Sequence, residues 1–246
     1  MELQKLYSYL RRGIDDYHMI TSGDKIAVGI SGGKDSLALL YGLAGLKRFY
    51  PLPFELVAIT VDVGFEGMNF KPIAELCKKL EVPYEIVTTD IKEIVFDVRK
   101  ESNPCSLCSK MRKGALNNRA KELGCNKIAY AHHKDDAVET LMMSLIYEGR
   151  IHSFSPVTYL DKMDLTLIRP MIYVCESEVV GFKNKYNLPV VKSTCEADGN
   201  TKREYVKHLL ADINKETGGV KNRMFTALVT DHISGFGVLK EDSHER

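Results

Sequence analysis

The chain has 246 residues and a net charge of +1, with 44% hydrophobic and 27% charged residues. This composition is ordinary for a globular protein with a substantial core. No apolar run reaches the roughly 20 residues of a membrane span, and the N-terminus lacks the apolar centre of a signal peptide. We therefore expect a cytoplasmic protein without membrane association. The six cysteines are too few and too scattered for a secreted disulfide scaffold.

The hydrophobic pattern predicts alternating helices and strands. Helices are expected within 2–20 and at 35–47, 70–80, 107–123, 136–148, 176–186, 201–216 and 219–231. Strands are expected at 25–30, 56–63, 84–89, 127–131 and 165–169. This order predicts an α/β fold, a doubly wound and mostly parallel sheet with helical N- and C-terminal extensions. We expect a single domain over 1–246, with an N-terminal helix in 1–22, a core in 23–200, and C-terminal helices and a tail in 201–246.

A glycine-containing turn follows the first predicted strand. It consists of Ser31, Gly32, Gly33, Lys34, Asp35 and Ser36, and the next helix begins within it. The N–H groups of a glycine turn and of a helix N-terminus converge on anions, and Lys34 adds a positive charge. The sequence therefore predicts a nucleotide-phosphate loop. An ordinary strand-to-helix turn is the alternative.

The spacing distinguishes this loop from two common nucleotide motifs. Gly29 and Gly33 enclose three residues, where the Walker motif has four, and Asp35 stands where that motif has Ser or Thr. A G-x-G-x-x-G pattern cannot be found from Gly29 onward. The loop instead resembles the PP-loop of N-type ATP enzymes, which cleave ATP to AMP and pyrophosphate by adenylating an oxygen.

Ligands of a doubly wound sheet bind beyond the carboxyl ends of its strands. This rule selects the phosphate loop, residues 61–63, and the His-His-Lys-Asp-Asp segment at 132–136. Adjacent carboxylates at a helix start can hold Mg²⁺ between phosphates. A transition-metal site that includes the histidines is a second interpretation. In a third, Asp135 caps the helix and Asp136 is the functional carboxylate.

Three cysteines are candidate metal ligands. Cys105 and Cys108 form a C-x-x-C pair, and Cys195 lies far downstream. Such a pair binds iron or zinc in many proteins, and a redox dithiol is an alternative. A four-cysteine zinc site needs a second pair, which the sequence lacks. Three thiolates with an open fourth position fit an iron–sulfur cluster with one exchangeable iron. The remaining cysteines, expected as core thiols, are Cys77, Cys125 and Cys175.

Basic residues are clustered even though the net charge is small. The clusters are Lys110, Arg112, Lys113, Arg119 and Lys121; Lys202, Arg203 and Lys207; and Lys221 and Arg223. They could form a patch that follows nucleic-acid phosphates. They could equally be solvated helix faces balanced by nearby carboxylates.

Four segments together resemble one family. They are the phosphate loop, 104–114, 132–141 and 168–171, and the resemblance covers most of residues 20–215. The chain is similar to the tRNA 2-thiocytidine synthetase group of PP-loop ATPases. The resemblance implies ATP with Mg²⁺, a [4Fe–4S] cluster, and transfer of sulfur to a tRNA base. It also implies a cysteine desulfurase or another sulfide source as partner, and it allows a homodimer.

The resemblance assigns roles by position. The six residues of the phosphate loop would bind the ATP phosphates, and Val61 and Ala131 would contact the nucleotide. The catalytic residues would be Lys34, Asp136 and Arg112. The cluster ligands would be Cys105, Cys108 and Cys195.

The expected reaction follows from the weak electrophilicity of a pyrimidine C2 carbonyl. Its oxygen is first adenylated, and sulfur delivered by the cluster then replaces AMP. An anticodon-loop cytidine is the expected target, because the base must leave its stack. Three alternatives are an ATP-dependent ligase or amidotransferase, a small-molecule sulfur transferase without tRNA, and a non-catalytic nucleotide or iron–sulfur sensor. Pyrophosphate release that depends on tRNA would separate these alternatives.

Overall fold

The computed structural model describes residues 1–99, 104–191, 194–195 and 202–230. Its strands are β1 (Asp24–Gly29), β2 (Phe54–Asp62), β3 (Tyr84–Thr88), β4 (Lys127–Ala129), β5 (Val157–Leu160) and β6 (Leu165–Ile168). They form one sheet in the order β3-β2-β1-β4-β6-β5. All neighbouring strands are parallel except β5 and β6. The predicted mostly parallel sheet is confirmed.

Helices precede, connect and follow the strands. They are α1 (Leu3–Asp16), α2 (Lys34–Leu46), α3 (Lys71–Lys79), α4 (Pro104–Glu122), α5 (Lys134–Met143), α6 (Glu176–Lys185), α7 (Lys202–Thr217) and α8 (Val220–Thr230). Among the helices in the described ranges, none is both long enough and apolar enough to cross a membrane. The predicted tail after the last helix, 231–246, lies outside the described residues.

Two π-helical turns and one strand differ from the predicted elements. The turns are Glu93–Val98 and Ser144–Glu148, so the predicted helix 136–148 ends as an α-helix at Met143. There the Ser144 hydroxyl donates a hydrogen bond to the His152 carbonyl at 2.6 Å. The missed strand is β5, which has four residues at the sheet edge and an exposed Tyr159. Such a strand carries no continuous apolar run that the sequence pattern could detect.

Helices cover both faces of the sheet. In β1, Ile26 and Val28 belong to a large hydrophobic cluster, while Ala27 between them belongs to a smaller one on the other face. The large cluster includes side chains of α1, α2, α3, α5, α6, α7 and α8. The smaller one includes Leu116 and Ala120 of α4. This division confirms the predicted doubly wound arrangement.

The order of the strands makes the carboxyl ends of β2, β1 and β4 neighbours at the centre of the sheet. The chain leaves β1 through α2 on one face and reaches β4 from α4 on the other, so the connection changes face between β1 and β4. At the opposite end of these strands, Lys127 Nζ pairs with Asp24 Oδ2 at 2.7 Å and donates to the Met19 carbonyl at 2.9 Å. Because the connection changes face between β1 and β4, a ligand site is expected where these two strands end.

Candidate active site

The phosphate loop, residues 31–36, connects β1 to α2 at this central edge. Gly32 has φ +84°, a left-handed conformation that favours glycine. Ser36 Oγ accepts a hydrogen bond from the Ser31 N–H at 3.2 Å and donates one to the Gly33 carbonyl at 3.0 Å. These bonds close the loop around the start of α2, where backbone N–H groups lack intrahelical acceptors. The loop has the geometry of an anion site.

Lys34 is held by two carboxylates. Its Nζ lies 3.1 Å from Asp35 Oδ2 and 3.0 Å from Glu176 Oε1 at the start of α6. Glu176 also pairs with Lys207 of α7 at 2.9 Å. Burial opposes the ionisation of Glu176, but the hydrogen bonds and charges of Lys207 and Lys34 outweigh it and lower the Glu176 pKa to about 2. An anion that binds Lys34 must therefore compete with a strong ion pair.

His133 caps the start of α5, so the expectation that Asp135 is the cap is wrong. The Asp136 N–H donates to His133 Nδ1 at 3.4 Å, and the His133 N–H donates to Asp136 Oδ2 at 2.9 Å. This reciprocal pair is a capping box, which needs the side chain three residues after the cap. Asp135 instead accepts the Glu176 N–H at 2.8 Å and pairs with Lys221 of α8 at 2.9 Å.

The different partners also separate the roles of the two adjacent carboxylates. Burial raises the pKa of Asp135, but the hydrogen bonds from Lys221 and from the Glu176 N–H outweigh burial, and the net pKa is below its ordinary value. The carboxylate is therefore ionised between α6 and α8. Only Asp136 lines the cavity described next. The sequence suggested that Asp135 and Asp136 hold one cation together. The two carboxylates have different surroundings, since Asp135 is engaged by α6 and α8 and only Asp136 lines the cavity.

A cavity of about 310 Å³ lies beside the phosphate loop, and we call it the loop cavity. It brings together the predicted residues Ser31, Asp35, Ser36, Val61, Arg112, Ala131 and Asp136. Gly32, Gly33 and Lys34 do not line it. The buried Asp35 Oδ1 accepts no hydrogen bond within the described residues and lies 3.7 Å from His133 Nε2. The loop cavity therefore combines hydroxyls, two cations (Arg112 and Lys113) and two carboxylates at the carboxyl ends of β1, β2 and β4.

A second cavity of about 670 Å³, the cysteine cavity, contains all three predicted cysteine ligands. Cys105 and Cys108 stand one turn apart in α4, and Cys195 approaches from the segment after α6. Aromatic side chains form part of the wall, namely Phe65, Phe70 and Phe96. Four residues line both cavities: Ser31, Val61, Ser109 and Arg112. The two cavities are therefore adjacent and share a wall.

The cysteines share a cavity without forming a finished metal site. Within the described residues, no group of three His, Cys, Asp or Glu side chains is placed to hold a metal ion. Burial raises the pKa of Cys108, Arg112 lowers it, and Cys195 and Cys105 raise it further. The mutual influence of the three thiols shows that they are close together. Cys105 is exposed and the other two are half-buried, so the donor set is accessible.

The other cysteines lie outside both cavities. Cys77 and Cys125 are buried in the core, as predicted. Cys175 is only half-buried and is the N-cap of α6, so its assignment to the core is corrected.

The basic clusters divide into paired and unpaired side chains. Arg119 pairs with Glu85 at 2.9 Å, Lys121 with Asp164 at 3.0 Å, and Arg203 with Glu139 at 3.1 Å. Arg112 and Lys113 line the loop cavity and have no carboxylate partner in the part of the chain that the structure describes. Burial, and then the charge of Arg169, lower the pKa of Lys113. The positive charge in the wall of the loop cavity thus comes from the first half of α4.

Two polar residues of this region, Glu176 and Arg169, received no role from the sequence, and His132 received one only in the transition-metal interpretation. Glu176 holds Lys34, as described above. Arg169 Nε donates to His132 Nδ1 at 3.1 Å, and His132 lines the loop cavity. Arg169 was within a segment that carried the family resemblance, and His132 was within the polar segment after β4. Their pairing depends on the adjacency of β4 and β6, which the local pattern does not reveal.

Comparison with known proteins agrees with this geometry. A family model described as a PP-loop domain matches residues 4–213. A tRNA-cytidine(32) 2-sulfurtransferase from Geobacter sulfurreducens is 37% identical over 92% of this chain and 89% of the relative. The enzyme of the same name from Pelobacter propionicus is 37% identical over 93% of this chain and 86% of the relative.

Solved structures show the same fold. The U34-tRNA thiolase from Methanococcus maripaludis, solved with its [4Fe-4S] cluster, has a TM-score of 0.76 and 25% identity, covering 96% of this chain and 84% of that chain. An NH3-dependent NAD synthetase from Campylobacter jejuni, at 16% identity and a TM-score of 0.52 over 92% of this chain and 91% of that chain, shares the fold alone. The chain belongs to the PP-loop domain family and, within it, to the group of the tRNA-cytidine(32) 2-sulfurtransferases.

Proposed function

We propose that this protein is an ATP-dependent tRNA sulfurtransferase that replaces the C2 oxygen of an anticodon-loop cytidine with sulfur. The observation that carries the proposal is the shared wall between the loop cavity and the cysteine cavity. One side offers an anion-binding loop and the other offers three thiols. A base placed at the wall would be within reach of both. The names of the relatives support a cytidine in tRNA as the target.

ATP would occupy the loop cavity. The phosphate loop would bind the phosphates through its N–H groups, hydroxyls and Lys34. Val61 is the penultimate residue of β2, and Ala131 lies two residues after β4; both line the same cavity, so they would contact the nucleoside. Mg²⁺ prefers carboxylate oxygens, and Asp35 and Asp136 both line the cavity. The buried Asp35 Oδ1, which lacks a hydrogen-bond donor within the described residues, fits a cation ligand.

The cysteine cavity fits a [4Fe–4S] cluster. Cys105, Cys108 and Cys195 would hold it, and these are the three cysteines that line the cavity. The aromatic wall would limit access of water to the bound group. When bound, such a cluster with one iron free of protein ligands supplies sulfur for transfer. A cysteine desulfurase or another sulfide source would replenish this sulfur. A tRNA substrate implies a cytoplasmic location, and we extend the proposal to a homodimer.

The protein's own residues would act mainly through charge. The C2 oxygen of the base bonds to the α-phosphorus of ATP, and pyrophosphate leaves. Lys34 would exchange Glu176 for a phosphate oxygen and stabilise the developing charge, while Lys207 keeps Glu176 paired. Arg112 in the shared wall would face the same charge, and Asp136 at the reaction centre would help to hold Mg²⁺, which would supply further positive charge beside the phosphates. A sulfur nucleophile then bonds to C2, and AMP leaves with the former carbonyl oxygen.

The test begins with anaerobic purification and quantification of iron and sulfide. We expect about four of each per chain, with a visible chromophore that Cys195→Ala loses. Cys125→Ala removes a buried thiol outside both cavities and should keep the iron. Stoichiometric zinc without a chromophore would contradict the cluster assignment.

The substrate is tested with the loaded enzyme. Pyrophosphate release should depend on tRNA, and mass spectrometry of digested tRNA should show thiolated cytidine. Release that requires only a small molecule would favour the small-molecule sulfur transferase. Nucleotide binding without any turnover would favour the sensor.

A further inference from the structure

His132 lines the loop cavity and is paired with Arg169, which does not line it, and neither residue has a role in the reaction proposed above. His132 follows β4, and Arg169 follows the neighbouring strand β6. Arg169 Nε donates to His132 Nδ1 at 3.1 Å. Arg169 is 8% exposed, and its Nη1 donates to the Ser155 carbonyl and, at 3.2 Å, to Thr158 Oγ1. The guanidinium is therefore fixed from two sides and holds the imidazole in turn.

The direction of this hydrogen bond determines the tautomer of His132. A guanidinium has only donors, so Nδ1 must accept with its lone pair and the ring proton resides on Nε2. The Phe154 ring lies 5.0 Å from the His132 ring and 4.9 Å from the Arg169 guanidinium. It packs against both groups, so that Arg169 is buried and the imidazole is left half-buried at the cavity wall.

The surroundings keep the imidazole neutral. Burial contributes most, and the positive charges of Arg169, Lys113, Arg203 and His133 add to it, lowering the pKa of His132 to about 3. These charges come from the segment after β6, from α4, from α7 and from the adjacent residue. The uncharged Tyr130 ring packs edge-on at 5.7 Å. His132 therefore presents one fixed donor, Nε2–H, at all pH values where the protein would work.

That donor is available to a ligand. Nε2 of His132 meets no acceptor within the described residues, and the ring lines the loop cavity together with Ser31, Ser36 and Val61. A neutral donor there suits an oxygen acceptor and adds no charge that would compete with Lys34.

We propose that His132 binds ATP by donating its Nε2–H to a ribose or phosphate oxygen, and that Arg169 is the positioning residue that fixes this tautomer. The inference rests on the proposed occupation of the loop cavity by ATP. The adjacent Ala131 lines the same cavity and is expected to contact the nucleoside, so a ligand there would lie beside the imidazole.

The binding test uses the full chain and ATP in titration calorimetry, without tRNA. His132→Leu removes the donor, and we expect the Kd for ATP to rise about three- to tenfold. His132→Gln keeps an N–H donor at the end of the side chain and should recover most of the affinity. His208→Leu changes an exposed histidine of α7 and should leave the Kd unchanged. Equal ATP affinity of His132→Leu and the wild type overturns the inference, whereas a wild type that does not bind ATP overturns the proposed function.

The tautomer is tested by nitrogen-15 NMR of the histidine side chains. In the wild type, His132 should carry its proton on Nε2 and should not titrate between about pH 5 and 8. Arg169→Lys keeps the charge but cannot donate from Nε, so the two tautomers should mix and the Kd for ATP should rise as in His132→Leu. If this variant fails to fold, the wild-type spectrum alone decides. A proton on Nδ1, or titration near the ordinary pKa of about 6.5, overturns the role of Arg169.

Discussion

The loop cavity and the cysteine cavity are adjacent but are built in different ways. Most polar groups of the first come from strand ends and from the first turns of the helices that follow them, and most of these already have partners, while α4 adds Ser109, Arg112 and Lys113. Ser36 closes the loop, and the capping box holds Asp136. The thiols of the second come from α4 and from a segment about 90 residues away in the chain, beside an aromatic wall. The loop half of the site is thus held in place by bonds within the protein, whereas the thiol half depends on the approach of two distant segments.

This difference predicts that the two halves can be inactivated separately. The ion pairs of Lys34 and Asp135, beside the loop cavity, connect the phosphate loop and the start of α5 to α6, α7 and α8. None of these pairs involves a cysteine of the second cavity. Loss of a thiol should leave ATP binding intact, and loss of a loop charge should leave iron binding intact. Variants of each half test this independence, and the expected effects decrease from Cys108→Ser to Arg119→Gln.

Cys108→Ser should have the largest effect. It removes the thiol that is half-buried and central to the cysteine group, so tRNA thiolation should fall below detection and iron content should drop. The Kd for ATP should stay within about twofold of the wild type, because no loop hydrogen bond involves Cys108. Iron analysis, calorimetry and a thiolation assay measure the three properties. An equal loss of ATP binding would show that the two cavities form one unit.

Lys34→Met is the complementary change. Removing a cation that stabilises developing charge costs about 100- to 1000-fold in turnover, and we expect this loss in the formation of AMP. Iron content should not change. Lys71→Met, at the start of α3 and outside both cavities, is a matched control. Iron loss in Lys34→Met would contradict the separation of the halves.

The contrast between the cavities also explains what could be predicted from the sequence. The phosphate loop is a contiguous motif at a strand-to-helix junction, and Ser31, Asp35 and Ser36 do line the loop cavity. Cys105, Cys108 and Cys195 were grouped because the other cysteines were assigned to the core, and the family resemblance then made them cluster ligands, since no local pattern joins positions so far apart. The cap at His133 was missed because aspartate is the more common N-cap. Glu176 and Arg169 were missed because their partners are distant in the chain.

Glu176→Gln should weaken the acid stability of the loop region. The Glu176 pKa is lowered from its ordinary 4.5 to about 2, so its ionised form stabilises the fold above about pH 4.5. This contribution is lost as the pH falls toward 2. One fifth of the Glu176 side chain is exposed, and solvent screens its ion pairs. We therefore expect the ionised form to contribute about 1–2 kcal/mol to the free energy of unfolding, less than the whole pKa shift would give. Urea unfolding at pH 7 and pH 3 should show a smaller pH effect in the variant than in the wild type.

A control for this prediction lies on the same helix. Glu178 pairs with Lys5 of α1 at 2.7 Å, away from the phosphate loop. In Glu178→Gln, Glu176 is still present, so the free energy of unfolding should fall between pH 7 and pH 3 by as much as in the wild type. If both variants behave alike, the stabilisation belongs to α6 in general and not to the pair with Lys34.

Arg119→Gln should have the smallest effect, because Arg119 is already paired. Its guanidinium contacts Glu85 at 2.9 Å and Glu122 at 3.0 Å on the exposed half of α4. Exposed ion pairs contribute little to stability, so the melting temperature should hardly change. The affinity for tRNA should change less than about twofold. Glu85 and Glu122 already neutralise the charge of Arg119, so its contact with a phosphate backbone would release few counterions.

The informative comparison is with Lys110→Gln in the first half of the same helix. Lys110 is exposed beside the cysteine pair and has no carboxylate partner in the part of the chain that the structure describes. If tRNA approaches the shared wall from this side, Lys110→Gln should weaken binding and reduce the slope of log Kd against log salt by about one, while Arg119→Gln leaves the slope unchanged. Equal slopes for both variants would mean that tRNA does not contact the first half of α4. The base would then have to enter from the α7 and α8 side, where Arg203, Lys207 and Lys221 would first have to leave their carboxylates.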